Sequence, residues 1–229
     1  MNTLKDIFDQ LVEWKELPSY QAERRLDIFF GYFLEKILKS CKYIHTNDPI
    51  KILPEFPLVD KENPNGQWKV KTKVANDKEN GQWRSKHIDF LVTDGCQCIA
   101  VELKTDNKSI SESQLKYYDM FMNETWDEIR GDIETLYKHT KEKRKYQILI
   151  DHLKDDMWQN IKSKKVVYIQ PQIDEKDKEI NSKYTWRKII SFDDILPPGF
   201  KIDERDFNDP WKCFLYCLTK IKKENNSCK

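Results

Sequence analysis

Three charged residues interrupt an otherwise apolar stretch, His87–Asp106 (H-I-D-F-L-V-T-D-G-C-Q-C-I-A-V-E-L-K-T-D): Asp89, Glu102 and Lys104. Charge inside a run that favours burial is costly unless it is paired or holds a metal. Two acids and an amine aimed at one point are what metal-assisted phosphodiester hydrolysis needs. The carboxylates hold a hard divalent cation through oxygen, and the amine manages a proton and offsets developing charge.

Two strands must position these groups. Asp94-Gly95 between alternating apolar runs predicts a hairpin with a two-residue loop. That loop pairs Thr93 with Cys96, Leu91 with Cys98 and Asp89 with Ala100. Side chains alternate along a strand, so Asp89, Ala100, Glu102 and Lys104 share one face, with Cys96 and Cys98 also pointing the same way along the second strand. Asp89 then lies diagonal to Glu102, about 7–8 Å away between backbones and within joint reach of one ion. Ile88, Phe90, Val92, Ile99, Val101 and Leu103 form the opposite, apolar face. A one-residue bulge at the turn would change this register.

Glu-x-Lys alone carries little weight in a chain that is 34% charged, and Glu13-Trp14-Lys15 has the same spacing. The second instance differs in having an acid on the preceding strand, matching face parity and apolar neighbours. In these features the chain resembles the PD-(D/E)XK nuclease superfamily, with Asp89 as the first acid and Glu102-Leu103-Lys104 as the E-x-K element. Ile88 stands where that family usually has proline.

Two flanking segments extend the resemblance. Downstream, Ser109-Ile110-Ser111-Glu112 reads as a capping box opening a helix. Gln114 with Tyr117 and Tyr118 is similar to the Gln-x-x-Tyr or Gln-x-x-x-Tyr element of exonuclease-like branches, which lies beside the active site; a surface glutamine on an amphipathic helix is the plainer reading. Upstream, Ala22-Glu23-Arg24-Arg25-Leu26 looks like the first helix of archaeal Holliday-junction resolvases. That likeness implies Glu23 as a third acid at the metal site, with Asp27 as its substitute; a helix-start glutamate favoured by the dipole explains Glu23 equally well.

The resemblance implies an α/β fold with a restriction-endonuclease-like core, a central mixed β-sheet flanked by helices in αβββαβ order, with helical additions at both termini. It implies a Mg²⁺-dependent nuclease, Mn²⁺ substituting, that hydrolyses phosphodiester bonds, DNA being the expected partner. Metal ligands would be Asp89, Glu102, the Leu103 carbonyl and Glu23; Lys104 and Gln114 would complete the catalytic set. The competing class is a non-catalytic nucleic-acid-binding or protein-interaction module on the same fold. DNA against RNA, endo- against exonuclease action, specificity and oligomeric state, a homodimer included, stay open.

The residue pattern supplies the frame. At 229 residues the chain is expected to form one domain spanning 1–229. Its 38% hydrophobic content is low, compensated by seven Trp, ten Tyr and eleven Phe. A net charge of +1 argues against a uniformly basic nucleic-acid binder and leaves room for local basic clusters. Cysteines at 41, 96, 98, 213, 217 and 228 include no Cys-x-x-Cys pair and give no zinc pattern. They read as reduced thiols packed as small hydrophobes in a cytoplasmic protein. Residues 1–12 are amphipathic without a signal-peptide core, and no apolar run reaches membrane-spanning length.

Helical spacing places a short first helix before Pro18 and a long one over Tyr20–Ser40, burying Leu26, Phe29, Phe30, Phe33, Ile37 and Leu38. Ile50–Val59 reads as an irregular strand whose two prolines suggest an edge or bulged position. Residues 61–86 carry two Gly-Gln-Trp copies and alternating Lys69, Lys71 and Lys73, consistent with a basic hairpin insertion. Trp126–His139 reads as a helix, Lys165–Gln170 and Ile189–Phe192 as strands, and Asn208-Asp209-Pro210 as the start of a last helix. Lys141–Lys145 and Lys162–Lys165 are basic clusters, read as solvated surface.

Overall fold

The computed structural model describes residues 3–15, 22–45, 47, 50–59, 85–106, 110–201 and 209–227. In chain order its elements are α1 (Thr3–Lys15), α2 (Ala22–Ser40), β1 (Lys51–Val59), β2 (Ser85–Thr93), β3 (Gln97–Leu103), α3 (Glu112–Asn123), α4 (Trp126–His139), α5 (Lys143–Leu153), α6 (Asp156–Gln159), β4 (Ser163–Gln170), α7 (Glu175–Lys183), β5 (Arg187–Ser191), α8 (Phe192–Ile195) and α9 (Pro210–Ser227). The strands form one five-stranded sheet in the order β1-β2-β3-β4-β5. The β1–β2 pair is antiparallel and the β4–β5 pair parallel, so the sheet is mixed and the class is α/β. The expected hairpin at 61–86 falls almost wholly outside the described residues; only its end, Ser85-Lys86, opens β2. Among the described residues no helix is long and apolar enough to cross a membrane.

Cα packing divides the chain into two compact units. The first comprises Met1–Ile50, Val101–Ser111 and Val166–Lys229. Its core is built by α2: of the stripe that the spacing predicts, Leu26, Phe30, Phe33, Ile37 and Leu38 are buried and Phe29 is half-buried, while Leu34, outside that stripe, is buried as well. Phe214 of α9 meets Phe30 edge-on at 4.8 Å and lies 5.1 Å from Phe33. Phe8 of α1 packs on Phe29 at 4.6 Å. Each fully buried Phe of this kind contributes about 1.5–3 kcal/mol. Helix α2 closes with a Schellman motif, in which the Tyr43 N–H donates to Leu38 O (2.9 Å) and the Lys42 N–H to Lys39 O (3.1 Å). Lys42 takes φ 61° to do so, where glycine is usual. Helix α9 starts on Asp209, whose carboxylate accepts from the Trp211 N–H at 2.9 Å.

The second unit comprises Lys51–Ala100 and Glu112–Lys165. Among the described strands β1 lies at the sheet edge, one of the two placements its prolines suggest, and pairs with β2 in a register that sets Phe56 against Ile88 and Lys51 against Thr93. Helix α4 has the expected limits because its start is signalled locally: Thr125 and Glu128 form a capping box. Its Trp126 stacks on Trp158 at 5.7 Å and donates its indole N–H to the Trp158 carbonyl. Helices α5 and α6 were not among the sequence expectations. The reading of thiols as small hydrophobes holds for Cys98, Cys213 and Cys217; Cys41 is half-buried and Cys96 is exposed.

Candidate functional site

The hairpin loop differs from the expected one. Strand β2 ends at Thr93 and β3 begins at Gln97, leaving the three residues Asp94, Gly95 and Cys96 between them. The physical cause is the Asp94 side chain. Its Oδ1 accepts from the Cys96 and Gln97 N–H groups, both at 3.0 Å, and its Oδ2 from the Gln97 amide at 2.7 Å. Thr93 Oγ1 donates to Gln97 O at 2.9 Å and accepts from the Gly95 N–H at 2.9 Å, and Gly95 takes φ 88°, open to glycine without strain. The Cys96 carbonyl is taken by the Lys162 N–H at 2.7 Å. Cys96 is thus part of the turn, exposed, and does not share the strand with buried Cys98. With three residues in the loop, side-chain alternation counted from the turn no longer assigns Asp89 to the Glu102 face. Burial alone would raise the Asp94 pKa; the donated hydrogen bonds outweigh it and hold the carboxyl below its ordinary range.

In the first unit, Glu102 and Lys104 meet. Lys104 Nζ lies 2.9 Å from Glu102 Oε1, with side chains only 7% and 6% exposed. Two positions apart in extended backbone, they emerge on one face. Lys104 falls just past the end of β3, and its N–H donates to Ile169 O of β4 at 2.8 Å. The amine is therefore anchored through its own backbone. Leu103 between them is buried on the opposite parity.

A buried polar network that the sequence reading missed holds β4 in that place. Arg187, at the start of β5, donates from Nη2 to Asp177 Oδ1 (2.8 Å) and Gln170 Oε1 (3.1 Å), and from Nη1 to Asn181 Oδ1 (3.0 Å). Gln170 returns its amide to Asp177 Oδ2 at 2.6 Å. Asp177 also accepts from the Asp174 N–H, closing the capping box of α7. The guanidinium carbon stands 4.5 Å from the Tyr168 ring centroid, a cation–π contact. Gln170 directly follows Ile169, so the network ties α7 and β5 to the residue beside the one that receives Lys104. The available signals were Asp174-x-x-Asp177 and an arginine opening an apolar strand.

The other expected site residues lie as follows. Asp89 is on β2 of the second unit, half-buried. In the β1–β2 register, Pro54 faces Phe90 and Phe56 faces Ile88, which leaves Glu55 at the Asp89 rung. Glu55 is exposed and takes φ 50°, breaking the ladder there. This second acid beside Asp89 was not singled out from the sequence. Gln114 lies in the first turn of α3, half-buried, with Tyr117 and Tyr118 buried behind it. That helix opens at Glu112, so Ser111 occupies the cap position and Ser109 lies outside the described residues. Glu23 belongs to the first turn of α2. Asp27, one turn on, is half-buried and accepts from the Ile28 N–H.

Among the described residues no group of three or more His, Cys, Asp and Glu side chains converges as a metal site. A two-carboxylate site lies below that count. Comparison with family models, curated proteins and solved structures returns no match.

Proposed function

We propose that the protein is a Mg²⁺-dependent nuclease of the PD-(D/E)XK type acting on DNA. The observation that carries this reading is the Glu102–Lys104 pair, an acid and an amine 2.9 Å apart and almost fully withdrawn from solvent at the end of an apolar strand. Desolvating both groups costs free energy that apolar residues of similar volume would not, so a strand with only structural needs has little reason to hold them. The order α2-β1-β2-β3-α3 supports the αβββαβ succession of that superfamily if α4, α5 and α6, which stand between α3 and β4, are additions to it.

The donor chemistry suits the ion. Glu102 and the Leu103 carbonyl offer oxygen ligands without thiol or imidazole, and the family resemblance adds the Asp89 carboxylate to the set, one that suits Mg²⁺, which retains several waters. Bound there, Mg²⁺ supplies Lewis acidity at a phosphate oxygen. Glu102 contributes its carboxylate from a backbone fixed by β3. Lys104 would orient a water for attack or, once Nζ has given up its own proton, take the proton of that water, and its positive charge would offset negative charge developing on the phosphate. The family resemblance, not the register of the turn, nominates Asp89 as the second carboxylate, with Glu23 in support and Gln114 positioning the strand.

The test is cleavage of labelled single- and double-stranded DNA and RNA in Mg²⁺ or Mn²⁺, with EDTA as control. Glu102→Gln, which keeps shape and removes charge, is expected to lose both cleavage and Mn²⁺ affinity. Wild-type protein indifferent to Mn²⁺ would leave a non-catalytic module in its place.

A further inference from the structure

We propose that the turn joining α4 to α5 is a docking surface for the phosphodiester backbone of DNA. The chain runs Lys138-His139-Thr140-Lys141-Glu142-Lys143-Arg144-Lys145, five cations against one acid, with every residue but Thr140 exposed. Two of the cations are engaged locally. Lys143 Nζ donates to the Tyr137 and Lys138 carbonyls at the end of α4, the second at 2.7 Å. Lys145 pairs with Glu142 at 3.0 Å. Lys138, Lys141 and Arg144 make no ion pair among the described residues.

The arrangement works against the local helix. Helix α5 opens with Lys143, Arg144 and Lys145, has no acid in its first turn, and its Glu142 side chain accepts no capping hydrogen bond from the helix backbone. Cations there oppose the dipole. In the same unit α4 has a Thr125–Glu128 capping box and a further acid, Asp127, in its first turn, and α6 is capped by Asp155. Lys143 is compensated at the α4 carbonyls and Lys145 by Glu142, which leaves Arg144 at the α5 start, with Lys138 and Lys141 beside it, as the charge that an external partner would meet. A polyanion relieves this repulsion, with lysines as mobile point charges and the arginine fork matching phosphate oxygens. Ile148 is the large exposed hydrophobic side chain of α5. A protein or membrane interface centres on apolar anchors, whereas a phosphate chain needs none.

The choice of DNA rests on the nuclease reading; the binding itself needs no catalysis. The test is fluorescence anisotropy with a labelled DNA duplex in EDTA, where no metal-dependent cleavage occurs, over about 50–200 mM salt. The triple variant Lys138→Gln/Lys141→Gln/Arg144→Gln is compared with Lys176→Gln/Lys188→Gln/Lys201→Gln, an equal charge change at exposed positions of the other unit. The first triple is expected to weaken binding about tenfold or more and to reduce the slope of log K against log salt by about 2–3. The second should change affinity less than about threefold. Equal losses in both triples, no loss in the first, or a wild type that binds no DNA would each overturn the proposal. Wild type that binds DNA through this patch yet cleaves nothing in Mg²⁺ supports the docking surface and refutes the nuclease reading alone.

Discussion

Replacing Arg187 by methionine tests how the lysine of the candidate site is held in place. The substitution keeps an apolar stem and removes a guanidinium whose side chain is 0% exposed, leaving Asp177, 3% exposed, without its cation. Breaking one side of a buried ion pair costs about 3–5 kcal/mol, because the remaining charge stays desolvated. The contact with the Tyr168 ring adds to the loss. Against it stands one relief: Arg187 Nε is buried without a hydrogen-bond partner among the described residues, and methionine removes that donor. The expected net cost is therefore toward the lower end, about 3 kcal/mol. In urea, with a slope of ~2 kcal/mol/M, the midpoint should fall by ~1.5 M. Heating should show a loss of about 6–12 °C for a chain of this size. A cycle with Asp177→Leu gives the sharper reading, since both singles remove the same pair. The double variant should be more stable than the sum of the singles implies by at least ~1 kcal/mol. A single-variant cost under ~1 kcal/mol, or losses that add within about 0.5 kcal/mol, would refute the reasoning that this pair is tightly coupled.

Lys42→Gly should stabilise the first unit by about 0.5–1 kcal/mol, measured by urea unfolding, because the Schellman closure of α2 holds Lys42 at φ 61°. Asp94→Ala should destabilise the hairpin at neutral pH by removing the acceptor for three donors. Since the folded-state pKa of Asp94 is lowered, its contribution is present above the unfolded value of about 3.9 and is lost as pH falls through the folded value. Wild type minus variant stability should accordingly shrink as unfolding is followed from pH 6 to below about 4, and a difference constant over that range would contradict the assignment.

Elements with local start and stop signals were legible from sequence. Helix α4 has its expected limits because Thr125 and Glu128 cap it, and α9 begins where Asp209-Pro210 places it. The prolines of β1 marked an edge or a bulge, and among the described strands β1 is the edge. Helix α5 was opaque for the opposite reason: three cations and no capping side chain disguise its start as a charge run. The turn at Asp94 was legible as a turn but not in length, because a carboxylate that spans two backbone donors adds a residue to the loop. At the candidate site, the spacing of Glu102 and Lys104 foretold their shared face, since a period of two needs no tertiary information. The Arg187–Asp177–Gln170 network was not foretold. Its members are brought together from β4, α7 and β5, and no local period connects them.

The central claim is tested most directly by single-turnover DNA cleavage in Mg²⁺, comparing wild type with Lys104→Met after unfolding has shown both to be folded. The account expects wild-type cleavage that EDTA abolishes and a rate lower by about 10²–10⁴ in the variant, the usual worth of a positioned proton acceptor. Equal rates in the two proteins, or a folded wild type that leaves DNA intact in both Mg²⁺ and Mn²⁺, would contradict it.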